Sequence, residues 1–81
     1  MSLQLTLYSR AYCHLCQDML AALEVLRSEF GFDIEVVDVD ADPELERRFN
    51  ELVPVLMHGG RELARWRLDV PVLRAYLADI G

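Results

Sequence analysis

Two cysteines separated by two residues are the strongest chemical signal in this chain. Cys13 and Cys16 are its only cysteines, and they lie between a short apolar stretch and a long amphipathic one. A thiol at a helix start meets unpaired backbone N–H groups and the positive end of the helix dipole, which both favour the thiolate. Cys16, one helical turn later, projects on the same side and can close a small disulfide ring. The spacing therefore predicts a dithiol that can be oxidised and reduced repeatedly.

The position of each cysteine predicts its role. Cys13, at the exposed helix end, is expected to be the nucleophile, and Cys16, a turn inside, the resolving thiol. His14 could place a positive charge beside the thiolate, which would lower the pKa of the thiol and make the disulfide more oxidising. The alternative is that His14 is a solvated residue at the helix start that changes neither the pKa of the thiol nor the oxidising strength of the disulfide.

Length and composition restrict the protein class and its partners. The 81 residues are 53% hydrophobic, which predicts a single globular domain over 1–81. The chain shows no charged leader and no apolar run near the ~20 residues of a bilayer span, so we expect a cytoplasmic protein without membrane partners. In that reducing compartment, a lone cysteine pair is expected to be catalytic or metal-binding rather than a structural disulfide. A net charge of −6 argues against nucleic-acid partners, and we expect a monomer.

Apolar periodicity predicts the elements that position the cysteines. Alternation over residues 3–8 indicates a strand, and the helical spacing of apolar positions over 15–30, ended by Gly31, indicates a long helix. A β-branched run over 34–39 indicates a second strand. This βαβ unit places the start of the cysteine-bearing helix beyond the carboxyl end of the first strand, where open α/β sheets usually carry their sites.

The second half of the chain predicts a short helix, a hairpin and a last helix. Asp42 as N-cap and Pro43 as first helical residue predict a helix that runs to about Glu51. The turn signal Gly59-Gly60 predicts a hairpin with strands over 53–57 and 61–66. Asp69 is expected to cap the last helix. Leu73, Leu77 and Ile80 are expected to share the inward face of that last helix. The predicted fold class is α/β, in the order β-α-β-α-β-β-α, with a four-stranded mixed sheet flanked by helices on both faces.

Two segments resemble the glutaredoxin branch of the thioredoxin superfamily, and the resemblance covers nearly the whole chain. Ser9-Arg10-Ala11-Tyr12-Cys13-His14-Leu15-Cys16 is similar to the family's strand–loop–helix signature, and Val53-Pro54 resembles its Val-Pro dipeptide. The resemblance implies a thioredoxin/glutaredoxin-like fold, thiol–disulfide exchange at the two cysteines and a cis peptide bond before Pro54. It also implies that Arg10 helps to hold the thiolate or glutathione, and that Val53 offers its backbone to an extended substrate. The implied substrate-contacting set is Arg10, Tyr12, His14, Val53, Pro54 and Asp69.

The chain departs from the family at the glutathione site. Glutaredoxins usually carry Pro and Tyr between the cysteines, and a Gly-Gly pair before the last helix, where the backbone and a following Asp bind glutathione. Here the stretch 64–69 retains only Asp69, for which helix capping alone is the competing interpretation. Trp66 and Arg67 bring bulk to that place, and Trp66 is interpreted either as a wall of the substrate groove or as a core aromatic of the hairpin. We therefore expect no tightly bound cofactor, with glutathione left as an alternative co-substrate.

Three functions remain open from the sequence. The first is a thiol–disulfide oxidoreductase that exchanges disulfides with a protein or a low-molecular-weight thiol, its recycling reductant undetermined. The second is a metal or iron–sulfur protein, because C-x-x-C is half of many zinc sites. With only His14 and His58 as nitrogen ligands, we predict no metal site within one chain, which leaves a cluster shared between two chains. The third is a binding module that docks a partner at Val53-Pro54 and the cysteine pair without sustained turnover.

Overall fold

The first strand lies in the interior of the sheet, with a parallel neighbour on one side and an antiparallel neighbour on the other. The computed structural model describes residues 3–80, and its sheet has the order β2-β1-β3-β4. β1 pairs in parallel with β2 and antiparallel with β3, and β3 pairs antiparallel with β4. The predicted four-stranded mixed sheet is therefore confirmed. The strands are β1 (Gln4–Ser9), β2 (Asp33–Asp38), β3 (Val55–His58) and β4 (Arg61–Arg65).

Three α-helices occur in the predicted order and cover both faces of the sheet. They are α1 (His14–Phe30), α2 (Pro43–Phe49) and α3 (Val70–Ile80). The helix predicted to run to about Glu51 ends at Phe49, because Asn50 leaves the helical conformation (φ −4°, ψ −87°) and a 3₁₀ turn follows over Asn50–Leu52. A second 3₁₀ turn, Val39–Ala41, connects β2 to the segment before α2. Within residues 3–80, no helix combines the length and apolar character that a bilayer crossing requires.

Local sequence signals account for the ends of the helices. Gly31 adopts a left-handed conformation (φ 73°) and donates its N–H to the carbonyl of Arg27 at 2.8 Å, which ends α1 as predicted. Asp42 accepts the N–H of Glu44 at 2.9 Å and caps α2, with Pro43 as its first residue. These interactions fix the direction in which each helix leaves the sheet.

The predicted limits of the hairpin strands were wrong by one or two residues. Val53 and Pro54 precede β3 instead of lying in it, because proline has no N–H to donate to a strand ladder. At the other end, Trp66 lies beyond β4, since its positive φ of 66° is incompatible with an extended strand. The two-residue turn at Gly59-Gly60 is as predicted, with Gly59 at φ 61°.

Two hydrophobic clusters hold the helices to opposite faces of the sheet. In the first, apolar side chains of α1 and α3 pack on one face of the sheet: Leu5, Leu7, Met19, Leu23, Leu26, Phe32, Leu56, Leu73 and Leu77. The second joins α2 and the amino end of α1 to the other face through Cys16, Val39, Phe49, Val53 and Val55. Tyr8 of β1 stacks on Phe49 with ring centroids 4.3 Å apart. The chain therefore has core on both sides of the sheet.

The last helix differs from its predicted pattern at one position. Leu73 and Leu77 are buried, but Ile80 is 42% exposed, so its expected place on the inward face was wrong. Ile80 is the last residue of α3, where the helix has passed beyond the cluster that its earlier turns cover. Arg74 of α3 instead forms a bidentate ion pair with Glu29 of α1. Hydrogen bonding by Glu29, and then its charge, raises the pKa of the Arg74 guanidinium.

Leu7→Ala tests the importance of the first cluster. Leu7 is fully buried on β1, between β2 and β3, so we expect the substitution to lower the free energy of unfolding by about 2–5 kcal/mol. Urea denaturation of the reduced protein measures the loss. Val36→Ala is the matched control, because Val36 pairs with Leu7 but is 49% exposed and should cost less than about 1 kcal/mol. Equal losses in the two variants would contradict this account of the core.

Candidate active site

Cys13 caps the amino end of α1 with its sulfur. The backbone of Cys13 is extended (φ −111°, ψ 109°), and its Sγ accepts the N–H of Cys16 at 3.1 Å. Its carbonyl accepts the N–H of Gln17 at 3.2 Å, which begins the helical hydrogen-bond series. Cys13 therefore takes the N-cap position that serine or aspartate usually occupies, with a sulfur as the acceptor. This geometry places the sulfur beside the unpaired N–H groups of the helix end.

The second cysteine lies within bonding reach of the first. Cys13 and Cys16 form a disulfide, with their Cα atoms 5.1 Å apart. This separation lies in the ordinary range for disulfides, so the helical backbone accommodates the bond. The structure thus places both sulfurs on the same side of the first turn, as the spacing predicts.

The two cysteines differ in exposure. Cys13 is half-buried, whereas Cys16 is only 4% exposed and packs among Val39, Phe49 and Val53. An approaching disulfide would therefore reach the sulfur of Cys13 more readily than that of Cys16. The difference arises because Cys16, in the first turn of α1, faces the second cluster, whereas Cys13 precedes the helix as its N-cap.

Val53 and Pro54 lie in the same region as the cysteine pair. Their peptide bond is cis, as the resemblance implied. Val53 belongs to the cluster that contains Cys16, and Cys13 packs against that cluster. The carbonyl of Pro54 accepts the backbone N–H of Trp66 at 2.8 Å, which joins the segment to the residue after β4. The structure therefore brings the dithiol and Val53-Pro54 together.

Arg10 is held by two side chains that are distant in the sequence. Its Nε donates to Asp40 Oδ1 at 3.1 Å and its Nη2 donates to Asn50 Oδ1 at 3.3 Å. Neither partner is a cysteine, so the guanidinium in this structure anchors the loop before α1 to the segments on both sides of α2. A direct contact of Arg10 with a thiolate or with glutathione stays a prediction.

The remaining predicted contact residues lie around the amino ends of two helices. Tyr12 is 99% exposed in the loop before Cys13, and His14 is an exposed first residue of α1. Asp69 Oδ1 accepts the N–H of Val72 at 3.2 Å, which confirms that Asp69 caps α3. Substrate contacts of these three residues stay predictions.

The sequence predicted only one wall of an open groove that runs along α1. One face of α1 and the connection from β4 to α3 enclose about 300 Å³, lined by Leu15, Asp18, Met19, Ala22, Trp66, Arg67 and Leu68. We call this feature the α1–Trp66 groove. Trp66 is 50% exposed, so its interpretation as a core aromatic was wrong and its interpretation as a groove wall agrees with the structure. The helical spacing of residues 15, 18, 19 and 22 was the available signal for the opposite wall.

Within residues 3–80, no three His, Cys, Asp or Glu side chains come together in an arrangement that could hold a metal ion. His58, at the end of β3, forms a 2.6 Å hydrogen bond between its Nδ1 and the hydroxyl of Tyr76 on α3. That contact gives His58 a structural partner away from the cysteine pair.

Known proteins share both the sequence pattern and the architecture. Residues 4–78 match the family described as Glutaredoxin-like domain (DUF836). Uncharacterized proteins of Mycobacterium bovis and Mycobacterium tuberculosis are 38% identical over 80 residues, which cover 93% of this chain and 82% of theirs.

Solved structures agree with these sequence matches. Protein Ne2328 of Nitrosomonas europaea is 38% identical, with a TM-score of 0.80 over 94% of this chain and 92% of that one. Protein XcR50 of X. campestris is 41% identical, with a TM-score of 0.75 over 93% of this chain and 96% of that one. Thioredoxin 1 of Thermosipho africanus is 21% identical, covering 96% of this chain and 98% of its own, and its TM-score of 0.64 shows the shared fold.

Paired substitutions at Cys13 test the capping role of its sulfur. Cys13→Ser retains an acceptor for the N–H of Cys16, whereas Cys13→Ala removes it, and both abolish the disulfide. We expect the alanine variant to unfold with a free energy about 1 kcal/mol lower than the serine variant. Urea denaturation of both variants under reducing conditions measures the difference. Equal stabilities would show that the side chain at position 13 does not cap α1.

Proposed function

We propose that this chain, which belongs to the glutaredoxin-like domain family, is a thiol–disulfide oxidoreductase with Cys13 as nucleophile and Cys16 as resolving thiol. The observation that carries the proposal is the pairing of a half-buried sulfur at the amino end of α1 with a buried sulfur in bonding reach. The thioredoxin fold and the C-x-x-C pair support redox activity as a class. The roles of the individual residues and the substrates are part of the proposal.

The first step forms a mixed disulfide at Cys13. The Cys13 thiolate attacks one sulfur of the substrate disulfide, so a bond from Cys13 to that sulfur forms while the substrate S–S bond breaks. The other substrate sulfur leaves with the electron pair and takes a proton from water. The amino end of α1 favours this step, because its N–H groups and dipole stabilise negative charge on the attacking sulfur.

The second step closes the disulfide seen in the structure. Cys16 loses its proton, and its thiolate attacks the Cys13 sulfur, which releases the bound substrate fragment as a thiolate that is then protonated. The substrate disulfide has gained two electrons and two protons, and the dithiol has become the Cys13–Cys16 disulfide. A thiol or dithiol reductant, whose identity the proposal leaves open, restores the starting form.

The surroundings of the dithiol favour a substrate presented as an extended segment. Val53 packs beside Cys16 in the second cluster and precedes the cis peptide bond to Pro54. The family resemblance implies that a residue in this position offers its backbone to an extended peptide. We propose a disulfide-bearing protein or a small thiol as partner, with glutathione as an alternative co-substrate and no tightly bound cofactor. A reducing compartment such as the cytoplasm would suit a dithiol with this role.

A docking module is the second candidate function. The same arrangement of Cys16 and Val53 would also hold a partner after a single exchange, because the fold does not decide whether the cycle repeats. Turnover is the property that separates an enzyme from a module.

A turnover assay with matched cysteine variants tests the oxidoreductase proposal. A peptide disulfide is supplied in excess over the protein, with a dithiol recycling system, and the released thiol is followed over time. We expect many equivalents of thiol per protein chain, loss of the reaction in Cys13→Ser, and a mixed disulfide trapped on Cys13 in Cys16→Ser. Mass spectrometry identifies the adduct.

The same assay defines the contradicting outcomes. Release of a single equivalent would support the docking module instead of the enzyme. Accumulation of the adduct on Cys16 in Cys13→Ser, with no adduct on Cys13 in Cys16→Ser, would reverse the assigned roles.

His14→Gln tests whether the residue after the nucleophile tunes the dithiol. His14 is exposed at the first position of α1, so a proton on its imidazole would stabilise the Cys13 thiolate of the reduced form. Loss of the imidazole should lower the reduction potential of the disulfide by about 5–20 mV, so that the disulfide is harder to reduce. This range corresponds to the usual strength of interactions at helix ends. Equilibration against glutathione buffers measures the shift. An unchanged potential would show that His14 is only a solvated residue.

A further inference from the structure

The proposed thiol–disulfide exchange takes place at Cys13 and Cys16 and assigns no role to the α1–Trp66 groove. Its apolar lining consists of Leu15, Met19, Ala22, Trp66 and Leu68. Leu15 lies between the two cysteines in the sequence and is 37% exposed, so the lining of the groove includes a residue of the turn that carries the dithiol. A volume of about 300 Å³ is at the small end for ligand pockets and suits one large side chain.

The backbone of Trp66 is fixed in a conformation that bulky residues rarely adopt. Its φ is 66°, and its N–H donates to the carbonyl of Pro54 at 2.8 Å. The next N–H, of Arg67, donates to the carbonyl of Arg65 at 2.7 Å, which closes a tight turn around Trp66. The indole Nε1–H donates to the carbonyl of Glu51 at 3.1 Å. Backbone strain of this kind persists where surrounding contacts over-determine it, and it is concentrated at binding and catalytic sites.

This anchoring leaves the indole both rigid and accessible. Trp66 is 50% exposed although both of its N–H groups are bonded to segment 51–54. A fixed aromatic surface loses little conformational entropy when it binds a second apolar group. The groove therefore has one preorganised wall, opposite the face of α1 that carries Leu15.

The charges of the groove favour a polypeptide over glutathione. Its lining contains one carboxylate, Asp18, and one guanidinium, Arg67, so it carries no excess of positive charge, and the whole chain has a net charge of −6. Glutathione has two carboxylates, one ammonium group and no apolar side chain, so neither the charge nor the apolar lining attracts it. A neutral or basic polypeptide segment with an apolar residue beside its cysteine matches both the charge and the apolar lining of the groove.

On the basis of the proposed function, we propose that Trp66 is a specificity-determining residue. It selects extended polypeptide disulfides that place an apolar side chain, next to the reacting cysteine, in the α1–Trp66 groove. The chemistry at the sulfurs is the exchange described above, in which the polypeptide disulfide is reduced by two electrons and the dithiol is oxidised. Trp66 contributes contact with the neighbouring side chain and takes no part in electron transfer.

The test compares three oxidised substrates that differ only in what they offer the groove. They are the symmetric disulfide of a short peptide with Phe next to its Cys, the same peptide with Ser in place of Phe, and glutathione disulfide. Second-order rate constants for oxidation of the reduced protein are obtained by acid quenching and mass spectrometry. We expect the Phe peptide to react about tenfold faster than the Ser peptide, from partial burial of one aromatic side chain.

Substitutions at Trp66 assign this preference to the indole. Trp66→Gly should reduce the Phe-to-Ser rate ratio to near one, and glycine tolerates the positive φ at this position. Trp66→Phe should keep most of the preference, because it retains an aromatic wall while losing the bond to Glu51. Val36→Ala, which removes a similarly exposed apolar side chain from β2, should leave the ratio unchanged.

The outcomes separate the specificity proposal from the proposed function. Equal rates for the two peptides with the unaltered protein, or an unchanged ratio in a folded Trp66→Gly variant, would overturn the role of Trp66 while leaving the oxidoreductase intact. Failure to react with any of the three disulfides would overturn the proposed function itself. Should Trp66→Gly not fold, Trp66→Asn takes its place, because asparagine also tolerates a positive φ and removes the aromatic wall.

Discussion

The hydrogen bond from the Cys16 N–H to the Cys13 sulfur is the interaction on which the site depends. An N-cap residue must leave the helical conformation while its side chain turns back over the first turn, and this requirement orients the sulfur of Cys13. The same turn carries Cys16 to the same side of the helix. A single capping geometry thus places one sulfur among unpaired N–H groups and the other within bonding distance.

The sheet and its two clusters hold this helix start in place. β1 ends at Ser9 in the interior of the sheet, and the ion pair of Arg10 with Asp40 fixes the loop that leads to Cys13. Exposed pairs of this kind contribute little to stability, so its effect is mainly on orientation. The second cluster buries Cys16 against Val53, which aligns the resolving thiol with the segment that would contact substrate. Segment 51–54 is in turn bonded to Trp66, so one wall of the groove and the dithiol share the same support.

Features set by neighbouring residues were predictable from the sequence, and those set by distant partners were not. The order of elements, the cysteine geometry and the caps at Gly31, Asp42 and Asp69 follow from local spacing and residue type. The partners of Arg10 lie 30 and 40 residues away, so no local pattern indicates them. The conformation of Trp66 likewise depends on carbonyls of Glu51 and Pro54, which only the folded sheet brings near. The sequence therefore left Trp66 as either a core aromatic or a groove wall, and only the tertiary structure decides for the groove wall.

The titration of the Cys13 thiol is the most direct test of the central claim that the amino end of α1 activates this sulfur. In the Cys16→Ser variant, thiolate absorbance or the rate of alkylation can be followed against pH without interference from a second thiol. We expect the pKa of the Cys13 thiol to lie below the ordinary cysteine value of about 8.5. A pKa at or above that value, in a protein shown to be folded, would contradict it.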